Sequence, residues 1–210
     1  MIKSFEYSNT ITAGLGMLLS YIGFIFILIR GIQHASYWNL AWSVVYGITL
    51  ILLHTSSTLY HGSVIPKAKK LYHLMDKSCI YLLIAGTYTP IALINLYGTF
   101  GITIVSIIWS LAILGIVLKI KSIKIFPNFD VLLYIFMGWF ALVGINKLMN
   151  TMDMNGIVLI FLGGLFFSIG VIFYISKSLR YGHAIWHLFY ISGCICHYFT
   201  IVLYTIPSKA

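Results

Sequence analysis

Seven long apolar segments dominate this 210-residue sequence and decide which kind of structure it can form. A helix that crosses the hydrocarbon core of a bilayer needs about 20 residues, and each segment is long enough to do so. Hydrophobic residues make up 60% of the chain and charged residues only 8%, a balance that is too apolar for a soluble domain of this size. The expected fold is therefore all-α, a single polytopic domain of seven transmembrane helices over residues 1–210. The predicted segments are 10–30, 38–61, 73–95, 98–119, 129–148, 155–176 and 183–205.

Lysine and arginine residues are distributed unevenly between the two sides of such a bundle. With the N-terminus in the cytoplasm, ten of the thirteen fall on the cytoplasmic side, and only Arg30, Lys147 and Lys209 fall outside. Because cytoplasmic loops carry the excess of positive charge, we expect a cytoplasmic N-terminus and an external C-terminus. This count depends on the break from Leu96 to Thr99, which rests on segment length alone. Since the basic residues lie in short loops between spans, we do not expect nucleic acid as a partner.

Three histidines and one aspartate fall at the same end of the predicted bundle. His61 closes the second segment, Asp76 opens the third, and the pair His183 and His187 opens the seventh. The members of this pair are four residues apart, so they share one face of a helix. Ionisable groups in or near lipid are costly and mark functional sites by default. We therefore expect the four side chains to meet near the cytoplasmic face of the membrane.

Three imidazoles that leave one coordination position open are typical of a catalytic zinc ion. His61, His183 and His187 are accordingly the candidate metal ligands, and zinc is the expected metal, although imidazole also suits iron and copper. The alternative is that these histidines are ordinary side chains at the membrane interface whose hydrogen bonds are satisfied without an ion.

Asp76 is expected to belong to the site, and Ser57 lies close to it in sequence. Asp76 begins the third segment, where its alternative role is a charge that the helix dipole favours and that Lys77 offsets. Ser57 precedes His61 by one helical turn, which places a hydroxyl next to an imidazole.

The other four histidines are interpreted as non-ligands. His54 shares a helix face with His61 but lies about 10 Å deeper by helix rise, which is too far to share an ion. His197 follows His187 by ten residues and is rotated from it by roughly 80° around the helix. The expected non-ligands are His34, His54, His73 and His197, of which His73 is the nearest rival because it lies one turn before Asp76.

Three stretches of the sequence resemble the haemolysin III family: SSTLYHG, LMDKSCIYLLIAGTYTP and GHAIWHLFYISGCICH. This family belongs to the progestin and adipoQ receptor superfamily, which includes the adiponectin receptors and is related to the alkaline ceramidases. The resemblance spans nearly the whole chain and implies seven helices, a cytoplasmic N-terminus and a zinc ion on three histidines. It also implies that Ser57 and Asp76 accompany the metal. Hydrolysis of lipid amides or esters is the activity proposed in the superfamily, and the family name comes from reported haemolytic activity.

The resulting hypothesis is a zinc-dependent hydrolase of a lipid amide or ester in the plasma membrane of a bacterium. Asp76 would be the general base that takes a proton from the attacking water. Ser57 would orient a ligand or the developing oxyanion. The substrate would be drawn from the membrane lipids and would enter sideways between helices.

Two non-catalytic alternatives remain. A pore-forming or membrane-disrupting haemolysin would use the metal only to brace the second, third and seventh spans, yet the spans show no polar stripe to line a pore. A lipid-homeostasis receptor needs a binding surface that short loops scarcely provide. Because structural zinc sites usually have four protein ligands, an open site with three histidines favours catalysis.

Overall fold

The structure is a computed structural model that describes residues 4–123, 125–176 and 178–207. These residues contain seven helices that are long and apolar enough to cross a membrane, which confirms the predicted all-α fold. We number them as spans 1 to 7 in chain order. Their bounds are Glu6–His34, Tyr37–Gly62, Pro66–Leu96, Gly98–Ile120, Phe129–Thr151, Met154–Ile175 and Gly182–Thr205.

Two helices begin earlier than the apolar pattern predicts. The helix of span 1 starts at Ser4 instead of residue 10, and span 3 starts at Pro66 instead of residue 73. Proline is well tolerated in a first helical turn because the amide hydrogen that it lacks would have no helical partner there. The lysine-rich stretch before residue 73, which the pattern treats as a loop, is therefore helical.

The break between spans 3 and 4 is confirmed, and Tyr97 is the single residue between them. The backbone φ angle is 22° at Tyr97 and 66° at Gly98. Positive φ angles of this kind turn the chain sharply and suit glycine, which has no side chain to clash. The turn therefore needs no charged or extended loop, and the sequence indicates it only through the length of the apolar run.

Three spans change their helical pattern along their length. Span 3 is an α-helix to Pro90 and continues as a π-helix over Ile91–Leu96. Span 5 contains a 3-10 segment over Phe140–Gly144, and span 7 ends in a π-helix over Thr200–Thr205. Proline cannot donate a backbone hydrogen bond, so a change of pattern next to Pro90 is expected.

Span 3 is the central helix of the bundle. Of its most apolar stretch, 78% is buried inside the protein, against 22% to 50% for the other spans. It packs mainly against spans 2 and 4, while span 7 packs against spans 1 and 6. The first ten residues of this helix are mostly exposed, and its burial begins at Asp76, whose side chain therefore lies in the interior of the bundle.

One end of the bundle is rich in basic residues, and we call it the basic end. Spans 1, 3, 5 and 7 begin there, and its described basic residues include Lys67, Lys69, Lys70, Lys119, Lys121 and Arg180. Lys3, Lys124, Lys177 and Lys209, which also entered the charge count, lie outside the described residues. That the basic end faces the cytoplasm stays a prediction.

Candidate metal centre

The three predicted ligands lie together at the basic end. Nε2 of His183 is 3.1 Å from Nε2 of His61, and ligand nitrogens of these two and of His187 lie within 4.8 Å of one another. His61 and His187 are buried, and His183 is partly buried. Zinc–nitrogen bonds of about 2.1 Å place two nitrogens of a tetrahedral site about 3.4 Å apart, close to the observed separation of the first pair.

Glu6 contacts the outer nitrogen of His61. Nδ1 of His61 lies 2.9 Å from Oε2 of Glu6, and the other carboxylate oxygen accepts a hydrogen bond from Nζ of Lys69 at 3.3 Å. An ionised carboxylate can only accept, so Nδ1 of His61 carries the hydrogen. Nε2 of His61 consequently offers a lone pair towards the other two histidines.

Thr12 has the same effect on His187. Its Oγ1 donates a hydrogen bond to the backbone oxygen of Ser8 at 2.9 Å and lies 2.8 Å from Nδ1 of His187. With its hydroxyl hydrogen directed at a backbone oxygen of its own helix, Oγ1 can accept a hydrogen bond from Nδ1 of His187. This contact leaves Nε2 of His187 with a free lone pair as well.

Span 1 therefore positions two of the three imidazoles from outside the cluster. Partners of this type fix the tautomer and the ring orientation of metal-ligating histidines in known sites. The residues present fit a metal ion that prefers nitrogen ligands, because both oriented rings direct a lone pair towards the same small volume. Among the residues that the structure describes, the group has three histidine nitrogens and no fourth protein ligand, which matches a site that keeps one position open.

Asp76 and Ser57 line a cavity together with His183 and His187. Both residues are buried, with 6% of Asp76 and 2% of Ser57 exposed. Within the described part of the chain, no hydrogen bond or ion pair to the Asp76 carboxylate is found, and its negative charge acts on the neighbouring His61 and His73. Ser57 lies beside the hydroxyl of Tyr190, which is buried in the same cavity.

The cavity is long, narrow and apolar away from the histidines. It follows span 3 from Asp76 to Ile91, fifteen residues that correspond to about 22 Å of helix. Its volume of about 140 Å³ suits a slender ligand. Lys77 lies at the same end as the histidines, and its Nζ donates a hydrogen bond to the hydroxyl of Tyr174.

Span 5 provides an opening from the cavity to the lipid. Gly138 and Leu142 line the cavity and are also exposed on the surface of the bundle. A side chain at Gly138 would meet nothing within 4 Å, so this part of the wall is open. The opening is framed by two hydrogen bonds, from the Tyr88 hydroxyl to the Gly138 backbone oxygen at 2.9 Å and from the Trp139 indole to Ser168 at 3.0 Å.

The other histidines have different surroundings. Nδ1 of His54 lies 2.9 Å from the backbone oxygen of Leu50, and Nε2 of His197 lies 3.3 Å from the backbone oxygen of Ile160. His73 packs its ring against Tyr60 at 4.8 Å, and His34 is exposed at the opposite end of the bundle. None of the four belongs to the three-histidine group found among the described residues.

Glu6 and Thr12 are the two residues at this centre that sequence reasoning missed. The apolar pattern predicts that the first span begins at residue 10. Glu6 lies before that point, and Thr12 lies just after it. The available signal was Glu6 itself, because an ionisable group in a membrane-spanning helix suggests a functional partner. Thr12 gave no signal, since a threonine in an apolar helix commonly bonds its own backbone, as this one also does.

Comparison with known proteins identifies the family. The sequence matches the haemolysin-III related family over residues 2–198. Hemolysin-3 of Bacillus cereus is 41% identical over 205 residues, which are 98% of this chain and 94% of the relative. This chain belongs to the haemolysin III family. The Hemolysin-3 homolog of Bacillus subtilis (strain 168) is 40% identical over 201 residues, 96% of this chain and 94% of that protein.

More distant relatives of this haemolysin III family member occur in animals. The monocyte to macrophage differentiation factor of Homo sapiens is 27% identical over 177 residues, which are 81% of this chain and 73% of the human protein. The bacterial relatives and the seven apolar helices together show a multi-pass protein of the bacterial cell membrane. The resemblance inferred from the three sequence motifs is thus confirmed at the level of the family.

Proposed function

We propose that this haemolysin III family member is a zinc-dependent hydrolase of lipid amides or esters. The observation that carries the proposal is the union of two features. The ligand nitrogens of His61, His183 and His187 converge, and the cavity that His183 and His187 line also holds a buried carboxylate, Asp76, without a hydrogen bond or ion pair among the described residues. A metal ion that only braces helices does not require such a carboxylate, whereas hydrolysis needs a general base beside the metal.

The chain's own residues account for binding and proton transfer. His61, His183 and His187 would hold zinc, which supplies a Lewis acid that lowers the pKa of water from about 15.7 to about 7. Asp76 takes the proton of the water that attacks the substrate carbonyl, and returns it to the leaving amine or alcohol as the carbon–heteroatom bond breaks. Ser57 donates a hydrogen bond to the negative charge that develops on the carbonyl oxygen.

The shape of the cavity supports a lipid substrate. Its apolar walls extend about 22 Å along span 3, which matches an aliphatic chain and leaves the polar scissile group beside Asp76. The opening at Gly138 and Leu142 would admit such a chain directly from the bilayer. In this proposal the basic end faces the cytoplasm, so the reaction takes place near that face of the membrane.

The test pairs metal content with turnover. Elemental mass spectrometry of detergent-purified wild type should give about one zinc per chain, and His187→Ala should lose it. His34→Ala is the matched control, because this exposed histidine lies at the other end of the bundle and should leave zinc unchanged. Wild type should release fatty acid from a panel of lipid amides and esters in reconstituted vesicles. Zinc in neither protein, or equal zinc in both, would refute the metal centre.

The names of the relatives favour a second candidate, membrane lysis. Hemolysin-3 is the name of a relative that is 41% identical, and a lytic protein would act on membranes without turnover. Leakage of a dye from vesicles distinguishes the two functions. Leakage that persists in Asp76→Ala, without release of fatty acid by wild type, would favour lysis. Fatty acid release that depends on Asp76 and proceeds without leakage would favour the hydrolase.

A further inference from the structure

A second cavity lies between spans 1, 2 and 7 and opens to the surface of the bundle. Its volume is about 630 Å³, and it shares no lining residue with the cavity of the metal centre. Arg30 and Gln33 line one end, and Gly16 and His54 line the other. We call this cavity the Arg30 groove.

The Arg30 groove is long and apolar enough for an aliphatic chain. Gly16 and Gly23 of span 1 pack against the rings of His54 and Tyr198, and these rings line the groove. Ile22 and Phe26 form an exposed apolar wall. From Gly16 to Arg30 the groove follows fourteen residues, which is about 21 Å of helix. This length is most of the hydrocarbon thickness of a bilayer.

Arg30 is the charged residue of the groove, and its charge has no counterpart in the described protein. Nε of Arg30 is fully buried and makes no hydrogen bond to any described residue. Three of the four acidic residues act elsewhere: Glu6 contacts His61 and Lys69, Asp130 contacts Lys119, and Asp153 caps span 6. The fourth, Asp76, lines the separate cavity of the metal centre. Arg30 lines the groove and no carboxylate of the described residues pairs with its charge, so an anion from outside the chain is favoured at this position.

We propose that the Arg30 groove binds an anionic glycerophospholipid. The phosphate accepts hydrogen bonds from the Arg30 guanidinium, whose planar fork matches phosphate oxygens. One acyl chain lies along the exposed apolar wall that Ile22 and Phe26 form. Basic pockets between transmembrane helices recognise anionic head groups in this way, whereas an exposed arginine alone would only attract them loosely.

Lipid retention after purification tests the proposal. The protein is reconstituted with equal amounts of phosphatidylglycerol and phosphatidylcholine, extracted in mild detergent, and its retained lipids are counted by native mass spectrometry. Wild type should retain phosphatidylglycerol over phosphatidylcholine by roughly fivefold, the factor that one interfacial cation supplies. Arg30→Gln should abolish this preference. The matched control Lys147→Gln removes a positive charge from the same end of the bundle and should keep it.

A second variant tests the groove itself. Ile22 is 44% exposed, so Ile22→Trp can fill the groove without disturbing the packing between helices. Retention of phosphatidylglycerol should fall although Arg30 is intact, and the melting temperature should stay at the wild-type value. Equal losses in Arg30→Gln and Lys147→Gln would indicate loose attraction of charge and refute the site. Displacement of the lipid by glycerol phosphate alone would also overturn the proposal, since it would show an anion site that needs no acyl chain.

Discussion

The carboxylate of Glu6 and the imidazole of His61 are joined by a hydrogen bond of 2.9 Å across 55 residues of sequence. The contact connects the beginning of span 1 to a candidate metal ligand at the end of span 2. Lys69 extends it to the beginning of span 3. Three helices are therefore held at the basic end by one carboxylate, which also fixes the tautomer of His61.

Glu6→Gln should weaken zinc binding by about 10- to 100-fold, the usual effect of removing an outer partner of a ligating histidine. The amide can still accept a hydrogen bond but carries no charge, so His61 becomes a poorer electron donor. Competition with a zinc chelator of known affinity measures the change. Asp153→Asn, which removes a carboxylate at the opposite end of the bundle, is the control and should bind zinc as wild type does. Unchanged affinity in Glu6→Gln would show that the contact only ties the helices together.

Thr12→Val should also lower zinc affinity, because valine keeps the shape of threonine but cannot accept from Nδ1 of His187. The effect should be smaller than that of Glu6→Gln, since a neutral hydroxyl polarises an imidazole less than a carboxylate does. Chelator competition again provides the measurement. Thr103→Val is the matched control, as Thr103 is exposed on span 4 and bonds only its own helix backbone. If both threonine variants bind zinc alike, Thr12 has no part in orienting His187.

Asp76→Asn should abolish lipid hydrolysis and raise the melting temperature. The carboxylate is buried without a hydrogen bond or ion pair among the described residues, so its charge costs stability that an amide does not. Sacrificed stability of this kind is common at functional sites. Zinc content should stay at the wild-type level, because Asp76 does not belong to the three-histidine group. A variant that lost stability and zinc together would instead indicate a structural carboxylate.

Gly101→Ala should destabilise the protein by about 1 to 3 kcal/mol. A methyl group at Gly101 would overlap the backbone oxygen of Ala92, which belongs to the π-helix of span 3 and cannot rotate away. Thermal unfolding in detergent measures the loss. Gly14→Ala is the control, because the nearest atom to its new methyl group is 4.0 Å away. Equal melting temperatures for the two variants would contradict the close packing of spans 3 and 4.

The sequence was sufficient for the spans because lipid imposes a simple rule of length and apolarity. The sequence did not predict that the helices of spans 1 and 3 begin at Ser4 and Pro66, beyond the apolar segments and within the basic end. The apolar pattern predicts loops for the charged residues there, but a helix that projects from the hydrocarbon can carry them. The changes of helical pattern in spans 5 and 7 depend on packing between helices, and no local feature of the sequence predicts them.

The candidate metal centre was predictable where one helix carries two ligands at a fixed spacing. His183 and His187 share a face by helix geometry, and the alternation of spans brings His61 to the same end. The partners in span 1 depend on how neighbouring helices rotate against one another, which the sequence does not encode locally. Glu6 and Thr12 were therefore found only in the folded structure.

The single residue between spans 3 and 4 constrains how the chain is inserted during synthesis. Span 3 carries Asp76 and Lys77. The mean hydropathy of its most apolar stretch is 1.7, whereas that of span 4 is 2.5. A link of one residue favours insertion of the two helices together, as an antiparallel pair in which the more apolar span 4 offsets the charged residues of span 3. Asp76 is then enclosed only when spans 2, 5 and 7, which line its cavity, pack against span 3.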